Sequence, residues 1–190
     1  MGSKEGKAKA LNDNEIKVLK ALINNEPHKQ RNMAIFMLGL KCGLRASEIA
    51  TLRLSQVVEA DGSLRETTNM KGKGSKVARI YLTNADLRKA LENWLEVRED
   101  DVASDSLFYT QKRQALRPQY VARYLLELMQ RANIKEGSSH SLRRTFANTL
   151  MDKGVNIRDI KELMRHSSIA TTQLYFETSE TKLGAIVENL

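Results

Sequence analysis

Apolar residues recur at three- and four-residue spacing through most of this chain, which predicts amphipathic helices separated by polar stops. The first stripe is Ile16, Leu19, Leu22 and Ile23, with Asn12 at the cap position, Glu15 three residues on, and Glu26-Pro27 as its end. Arg31 to Cys42 is apolar almost all round, so it is expected to lie at the centre of the core, with Gly43 as its cap. The period changes between Leu54 and Leu82. Val57, Val58, Leu64, Thr67 and Thr68 favour strands, Asp61-Gly62 is a turn signal, and Val77 to Leu82 reads as a further strand. Helical spacing returns after Thr83-Asn84-Ala85-Asp86, with Leu87, Leu91, Trp94 and Leu95 facing inward and Trp94 read as a core residue. Leu107-Phe108-Tyr109 reads as a short strand or extended segment. Pro118 suits the first position of a helix whose inner stripe is Val121, Leu125, Leu128, Met129 and Ala132.

The most informative stretch runs from His140 to Tyr175. Leu142, Phe146, Ala147 and Leu150 give one helix its apolar side, and Gly154 is a natural stop. If that helix starts near Ser139, His140 and Arg143 share a face. Asn156 can cap a second helix with Ile157, Ile160, Leu163 and Met164 inward, and His166 falls at its end. Ser167 or Ser168 can cap a third, with Tyr175 about two turns into it. Leu183, Ile186, Val187 and Leu190 predict a last short amphipathic helix, docked on its own protomer or on a neighbour.

These residue types suit phosphate chemistry. Arginine presents a rigid fork of donors to an oxyanion, histidine donates hydrogen bonds or moves protons near neutral pH, and a positioned tyrosine hydroxyl is a nucleophile. Each alone has a plainer reading, as a core tyrosine or a surface arginine. Arg45 stands directly after the buried helix, where a guanidinium is costly to bury without an anion; Glu48, three residues on, is one available partner.

Charge narrows the field. The 190 residues carry a net charge of +8, which points to a polyanionic partner, nucleic acid before membrane. The basic residues cluster: Lys71, Lys73, Lys76 and Arg79 sit in a glycine-rich hairpin without acids, and Lys112, Arg113, Arg117 and Arg123 form a second such group. A mobile basic hairpin can enter a DNA groove or reach a phosphate. The single cysteine, Cys42, can form no internal disulfide and lacks the companions of a zinc site, so it reads as a buried thiol of a reducing compartment. No apolar run reaches membrane-spanning length and no secretory signal is visible. Met1-Gly2-Ser3 reads as a cloning scar, and residues 1–10 as a leader ahead of one domain spanning 11–190.

The text HSLRRTFA, then RHSSIATTQLY, then FETS resembles the C-terminal signature of the tyrosine recombinases, the phage-type integrases. The separations of 26 residues from His140 to His166 and 9 from His166 to Tyr175 are those of the family. Gly43-Leu44-Arg45-Ala46-Ser47-Glu48 resembles its GLRxSE element, and the basic hairpin its GKGxK. The resemblance spans Leu11 to Ser179 and implies a mainly α fold with a small antiparallel β-sheet at one edge, an α+β catalytic core without the family's N-terminal DNA-clamping domain. One departure is RHSS where the family often has GHSS; it puts Arg165 beside His166 and can alter the turn, while the histidine stays in place.

What the resemblance implies about chemistry is specific. Tyr175 attacks a DNA phosphate and forms a 3′-phosphotyrosyl bond. Arg45 and Arg143 hold the non-bridging oxygens, His166 adds a hydrogen bond, Lys73 protonates the leaving 5′-oxygen, and His140 assists proton transfer from Tyr175. Glu48 orients Arg45. Lys71 and Lys76 are the alternatives to Lys73 and, with Arg117, Arg123 and Arg144, are expected DNA contacts. No metal or other cofactor is expected. The expected partners are a double-stranded recombination site, further copies in a tetramer joined through the C-terminal tail, and accessory DNA-bending proteins, in a bacterial or phage-encoded protein of the cytoplasm and nucleoid. The implied activity is site-specific recombination for integration or excision of a mobile element or phage. Two readings from other classes stand beside it: a DNA-binding regulator without chemistry, and a metal-dependent nuclease, which needs carboxylate clusters that this sequence does not display. Type IB topoisomerases and telomere resolvases share the chemistry, but the GLRxSE and TTxxY text favours integrases.

Overall fold

The computed structural model describes residues 8–71, 77–99, 105–166, 168, 170 and 172. Seven helices and one hairpin follow in the order α1 (Asp13–Asn24), α2 (Lys29–Cys42), α3 (Ala46–Ala50), β1 (Thr67–Lys71), β2 (Val77–Tyr81), α4 (Ala85–Val97), α5 (Pro118–Arg131), α6 (Ser141–Asp152) and α7 (Ile157–Leu163). The two strands pair antiparallel, with Thr67 opposite Tyr81 and Lys71 opposite Val77. This is the mainly helical fold with a small sheet that the pattern predicts.

Local chemistry sets most helix starts. The Asn12 side chain accepts from the Glu15 N–H at 2.9 Å, and the Glu15 carboxylate accepts from the Asn12 N–H at 2.9 Å. Asn84 caps α4 through the Leu87 N–H, and Asn156 caps α7 through the N–H groups of Arg158 and Asp159. Each cap satisfies donors that the first helical turn leaves without partners.

Helix α2 is the hub. Ala34 to Leu40 are all buried, and the helix packs against α1, α3, α4 and α6, while α3 also packs on α5. Trp94 lies in the core as expected: its indole N–H donates to the Leu107 carbonyl at 3.0 Å, and its ring lies 6.1 Å from Phe108 and 5.5 Å from Tyr109. Helices α6 and α7 enclose a second, smaller apolar cluster of Ala147, Ile160 and Met164, with Phe146, Leu150, Met151 and Val155 packed around it.

One expectation changes. Val57 and Val58 do not open a strand. Leu54–Gln56 forms a turn of 3-10 helix, and only a single bridge joins Val58 to Leu64, because Val57 is drawn into the core. Of the strand or extended segment expected at Leu107-Phe108-Tyr109, the extended segment is found, with single bridges at the preceding Ser106 to Arg53 and at Tyr109 to Ala115. The helices expected around Tyr175 and Leu183–Leu190, and the hairpin tip with Lys73 and Lys76, lie outside the described residues.

Gly43 ends α2 with φ +58, and a Cβ built there would lie 2.5 Å from Phe146 Cδ1. Gly154 also has positive φ, +76, but nothing lies near its Cβ position. Gly154→Ala is therefore expected to cost about 1 kcal/mol from backbone strain alone. Gly43→Ala adds a steric penalty and is expected to cost about 3 kcal/mol, read as a shift in the urea unfolding midpoint.

Candidate functional site

The site is built on the corner between α2 and α3. Gly43 turns the chain, Leu44 is buried, and Arg45 stands extended at the cap position of α3. Glu48 lies one turn on. Its Oε2 accepts from the Arg45 backbone N–H at 2.7 Å, and its Oε1 from Arg45 Nη1 at 3.2 Å. Arg45 thus has the carboxylate partner that its position demands, while 30% of its side chain stays open to solvent.

Arg143 comes from α6 and is 1% exposed. Its Nη1 donates to the Gly43 carbonyl and its Nη2 to the Met164 carbonyl, and Nη1 also lies 3.9 Å from Glu48 Oε2. A guanidinium this deep is tolerable because carbonyl oxygens and a carboxylate surround it. One side chain therefore bridges the α2–α3 corner and the end of α7.

Arg165 makes the second bridge. It follows α7 with φ +56. Its backbone N–H donates to the Glu162 carbonyl at 2.9 Å, and that of His166 to the Lys161 carbonyl at 3.1 Å. These two bonds are a Schellman cap, with arginine in the left-handed position where glycine is usual. From there the side chain reaches back to the corner. Nη2 donates to the Gly43 carbonyl at 2.8 Å and to Glu48 Oε2 at 3.1 Å, Nε lies 3.4 Å from Glu48 Oε1, and Nη1 donates to the carbonyls of Leu163 at 2.8 Å and Cys42 at 3.3 Å. Sequence reasoning saw this residue only as a departure from GHSS. The one local signal is an arginine where the family's GHSS text has glycine.

His166 is buried, with Nδ1 2.9 Å from the Thr172 hydroxyl, which is itself buried. Thr172 is a site residue that the reading of the residues passed over, although it belongs to the quoted TTQLY text. His140 caps α6 and is half-buried. The helix begins at Ser141, and His140 before it already has helical backbone angles, three residues ahead of Arg143. Arg144, an expected DNA contact, lies on α6 and is 5% exposed. Arg117 is exposed at the start of α5, and Arg123 is exposed with its Nε donating to Glu127 at 2.7 Å. Lys71 ends β1, while Lys73, Lys76 and Tyr175 lie outside the described residues.

Around Glu48, three guanidiniums face one carboxylate. Burial raises the tendency of Glu48 to hold a proton. The Arg165 charge, the Arg45 N–H and the Arg143 charge oppose it and keep the carboxyl below the ordinary carboxylate range. Burial likewise pushes the Cys42 thiol up to about 12, in line with an inert core cysteine. Among the described residues no group of three His, Cys, Asp or Glu side chains is placed to hold a metal ion, and no helix is long and apolar enough to cross a membrane. A cleft of about 370 Å³ bordered by Arg31, Trp94 and Arg113 shares no residue with this cluster.

The family model for the phage integrase family matches residues 9–182. The chain belongs to the phage integrase family. A tyrosine recombinase XerC of Pseudomonas fluorescens strain Pf-5 is 32% identical over 178 residues, covering 93% of this chain and 58% of the relative. This chain thus spans a little over half the length of that relative. The crystal structure of XerA recombinase superposes with a TM-score of 0.80 at 26% identity, covering 95% of this chain and 64% of that one. The XerH recombinase bound to its difH substrate in a pre-cleavage complex gives a TM-score of 0.75 at 24% identity, covering 96% and 54%, and shares the fold.

In this family member the carboxylate at position 48 is a stability determinant with a definite pH signature. Glu48→Gln leaves three guanidiniums facing a neutral amide and is expected to cost about 3 kcal/mol at neutral pH. Because the folded carboxyl lies below its ordinary value of 4.5, this stabilisation is complete above that pH and is lost as pH falls through the folded value. Urea titrations of both proteins from pH 7 to pH 3 are expected to show their difference shrinking only in the acid range.

Proposed function

We propose that this chain carries the chemistry of a tyrosine site-specific recombinase, cleaving DNA strands and rejoining them through a covalent 3′-phosphotyrosyl bond. The observation that carries the reading is the meeting of Arg45, Arg143 and the His166 turn around one carboxylate, although they are far apart in sequence. These residues stand in the motifs that the family resemblance marks as chemical. A cluster with an excess of fixed guanidiniums suits the negative charge that builds on a phosphate in the transition state.

In this mechanism Arg45, the more open of the two family arginines, receives the scissile phosphate. Arg143 lies beneath and reaches a non-bridging oxygen only as the residues around it shift on DNA, which ties its contribution to bound substrate. His166, its ring held by Thr172, adds a hydrogen bond to the phosphate. Tyr175 attacks the phosphorus, its proton leaves with help from His140, and Lys73 protonates the departing 5′-oxygen. The phosphotyrosyl bond then takes a 5′-hydroxyl from another strand, which breaks the bond to Tyr175 and seals the DNA. The substrate is a duplex recombination site gripped by Lys71, Lys76, Arg117 and Arg123, with four protomers and DNA-bending proteins completing the assembly. Integration or excision of a mobile element or phage is the finer reading. Dimer resolution stands beside it, because the similarity runs to proteins named recombinases as well as to a family named for integrases.

The test uses nicked suicide duplexes selected by this chain from a randomised pool. The protein is expected to form a covalent adduct that survives excess EDTA, since guanidiniums supply the positive charge a metal would otherwise bring. Tyr175→Phe is expected to bind the duplex and form none. An adduct in that variant removes Tyr175 as nucleophile, and adduct formation that EDTA abolishes and magnesium restores favours a nuclease.

Lys73 has its own signature. An alkoxide leaves poorly, so loss of the general acid is expected to slow cleavage about 10²–10⁴-fold. A bridging 5′-phosphorothiolate leaves as thiolate without a proton, so Lys73→Ala is expected to recover on it. If Lys71→Ala or Lys76→Ala recovers instead, the acid is that lysine.

A further inference from the structure

We infer that Arg165 is a positioning residue: its guanidinium locks the turn that carries His166 onto the α2–α3 corner that carries Arg45. The catalytic part of this inference rests on the recombinase reading above; the conformational part does not.

Three observations converge. First, Arg165 occupies the left-handed position of the α7 cap with φ +56, a conformation strained for a residue with a Cβ and unstrained for glycine. Backbone preference therefore works against arginine here, and the side chain's contacts must offset it. Second, those contacts join separate segments. The fork touches Cys42 and Gly43 at the end of α2, Glu48 in α3 and Leu163 in α7, through both Nη atoms and Nε. The side chain is 5% exposed, so these bonds act away from bulk water.

Third, the apolar packing of α7 does not do this work. Ile160 and Met164 belong to the small cluster shared with α6, separate from the main core, and the chief contacts of α7 are with α6 and β2. The link from the end of α7 to the α2–α3 corner is polar: Arg143 to the Met164 carbonyl, and Arg165 to Glu48 and the carbonyls. His166 is the next residue, so its ring inherits whatever freedom Arg165 has. Lysine keeps the charge but offers a single point of attachment, and cannot span the carboxylate and several carbonyls at once.

The experiment compares the whole chain with Arg165→Gly and Arg165→Lys. Arg165→Gly relieves the backbone strain and leaves Glu48 paired with Arg45 and Arg143, so the fold is expected to persist by circular dichroism. Hydrogen–deuterium exchange is expected to quicken at amides 164–168 and stay unchanged in α4. On the selected suicide duplexes, binding is expected to hold within about twofold while adduct formation slows about tenfold to a hundredfold, the scale of a displaced catalytic group. Arg165→Lys is expected to behave like Arg165→Gly. Wild-type exchange at 164–168 in Arg165→Gly overturns the inference, as does full activity in Arg165→Lys, which would reduce the role to charge. If the unaltered chain forms no adduct on any selected duplex, the recombinase reading falls, and the exchange result alone decides whether Arg165 fastens the turn.

Discussion

The burial of the Glu48 carboxylate among Arg45, Arg143 and Arg165 is the constraint on which the geometry of the site depends. A carboxylate withdrawn from water costs several kcal/mol unless paired, and so does each guanidinium. The cluster resolves both problems only in one arrangement, because each partner comes from a different place: Arg45 from the cap of α3, Arg143 from α6, Arg165 from the turn after α7. Displacing Glu48 leaves all three guanidiniums without their shared carboxylate. Such a cluster need not make the fold more stable than a well-packed apolar one. What it does is discriminate against neighbouring arrangements, and the phosphate-holding role proposed for the site depends on that.

The cluster in turn rests on close backbone approach. A Cβ at Gly39 would lie 2.8 Å from Leu142 Cδ1, and one at Gly43 would meet Phe146. Glycine at both places lets α6 lie tightly against α2. That approach brings Arg143 within reach of the Gly43 carbonyl, the same oxygen that Arg165 reaches. Apolar packing thus sets the distance, and the polar cluster sets the register.

The elements set by local chemistry were legible in the sequence. The caps at Asn12, Asn84 and Asn156 and the stop at Gly43 depend on residues within one turn of each other, and so does the inward stripe of each helix. Val57 was misread because strand preference is weak beside the pull of the core. Arg143 and Arg144 were legible as basic residues of a known motif, but not as buried ones, since burial depends on what α2 and α7 place opposite them. Arg165 was the least legible. Its role needs acceptors at Cys42, Gly43 and Glu48, more than a hundred residues away, and no periodicity announces such a contact.

The same contrast explains how the site divides its labour. Helices α3 and α6, which pack on the main core through Ile49, Ala50 and Leu142, hold Arg45 and Arg143. The turn at His166 has no such support. It is a helix end with arginine where glycine would sit more easily, fastened through side chains rather than through a core. Under the proposed reading, an open Arg45 beside a turn held by breakable polar bonds suits a site in which one anion-binding group is in place early and the groups around it settle when the phosphate arrives. A cap with glycine at position 165 would leave that turn to find its place by itself. Arginine hands the task to the same carboxylate that orients Arg45, so the two halves of the site are aligned by one group.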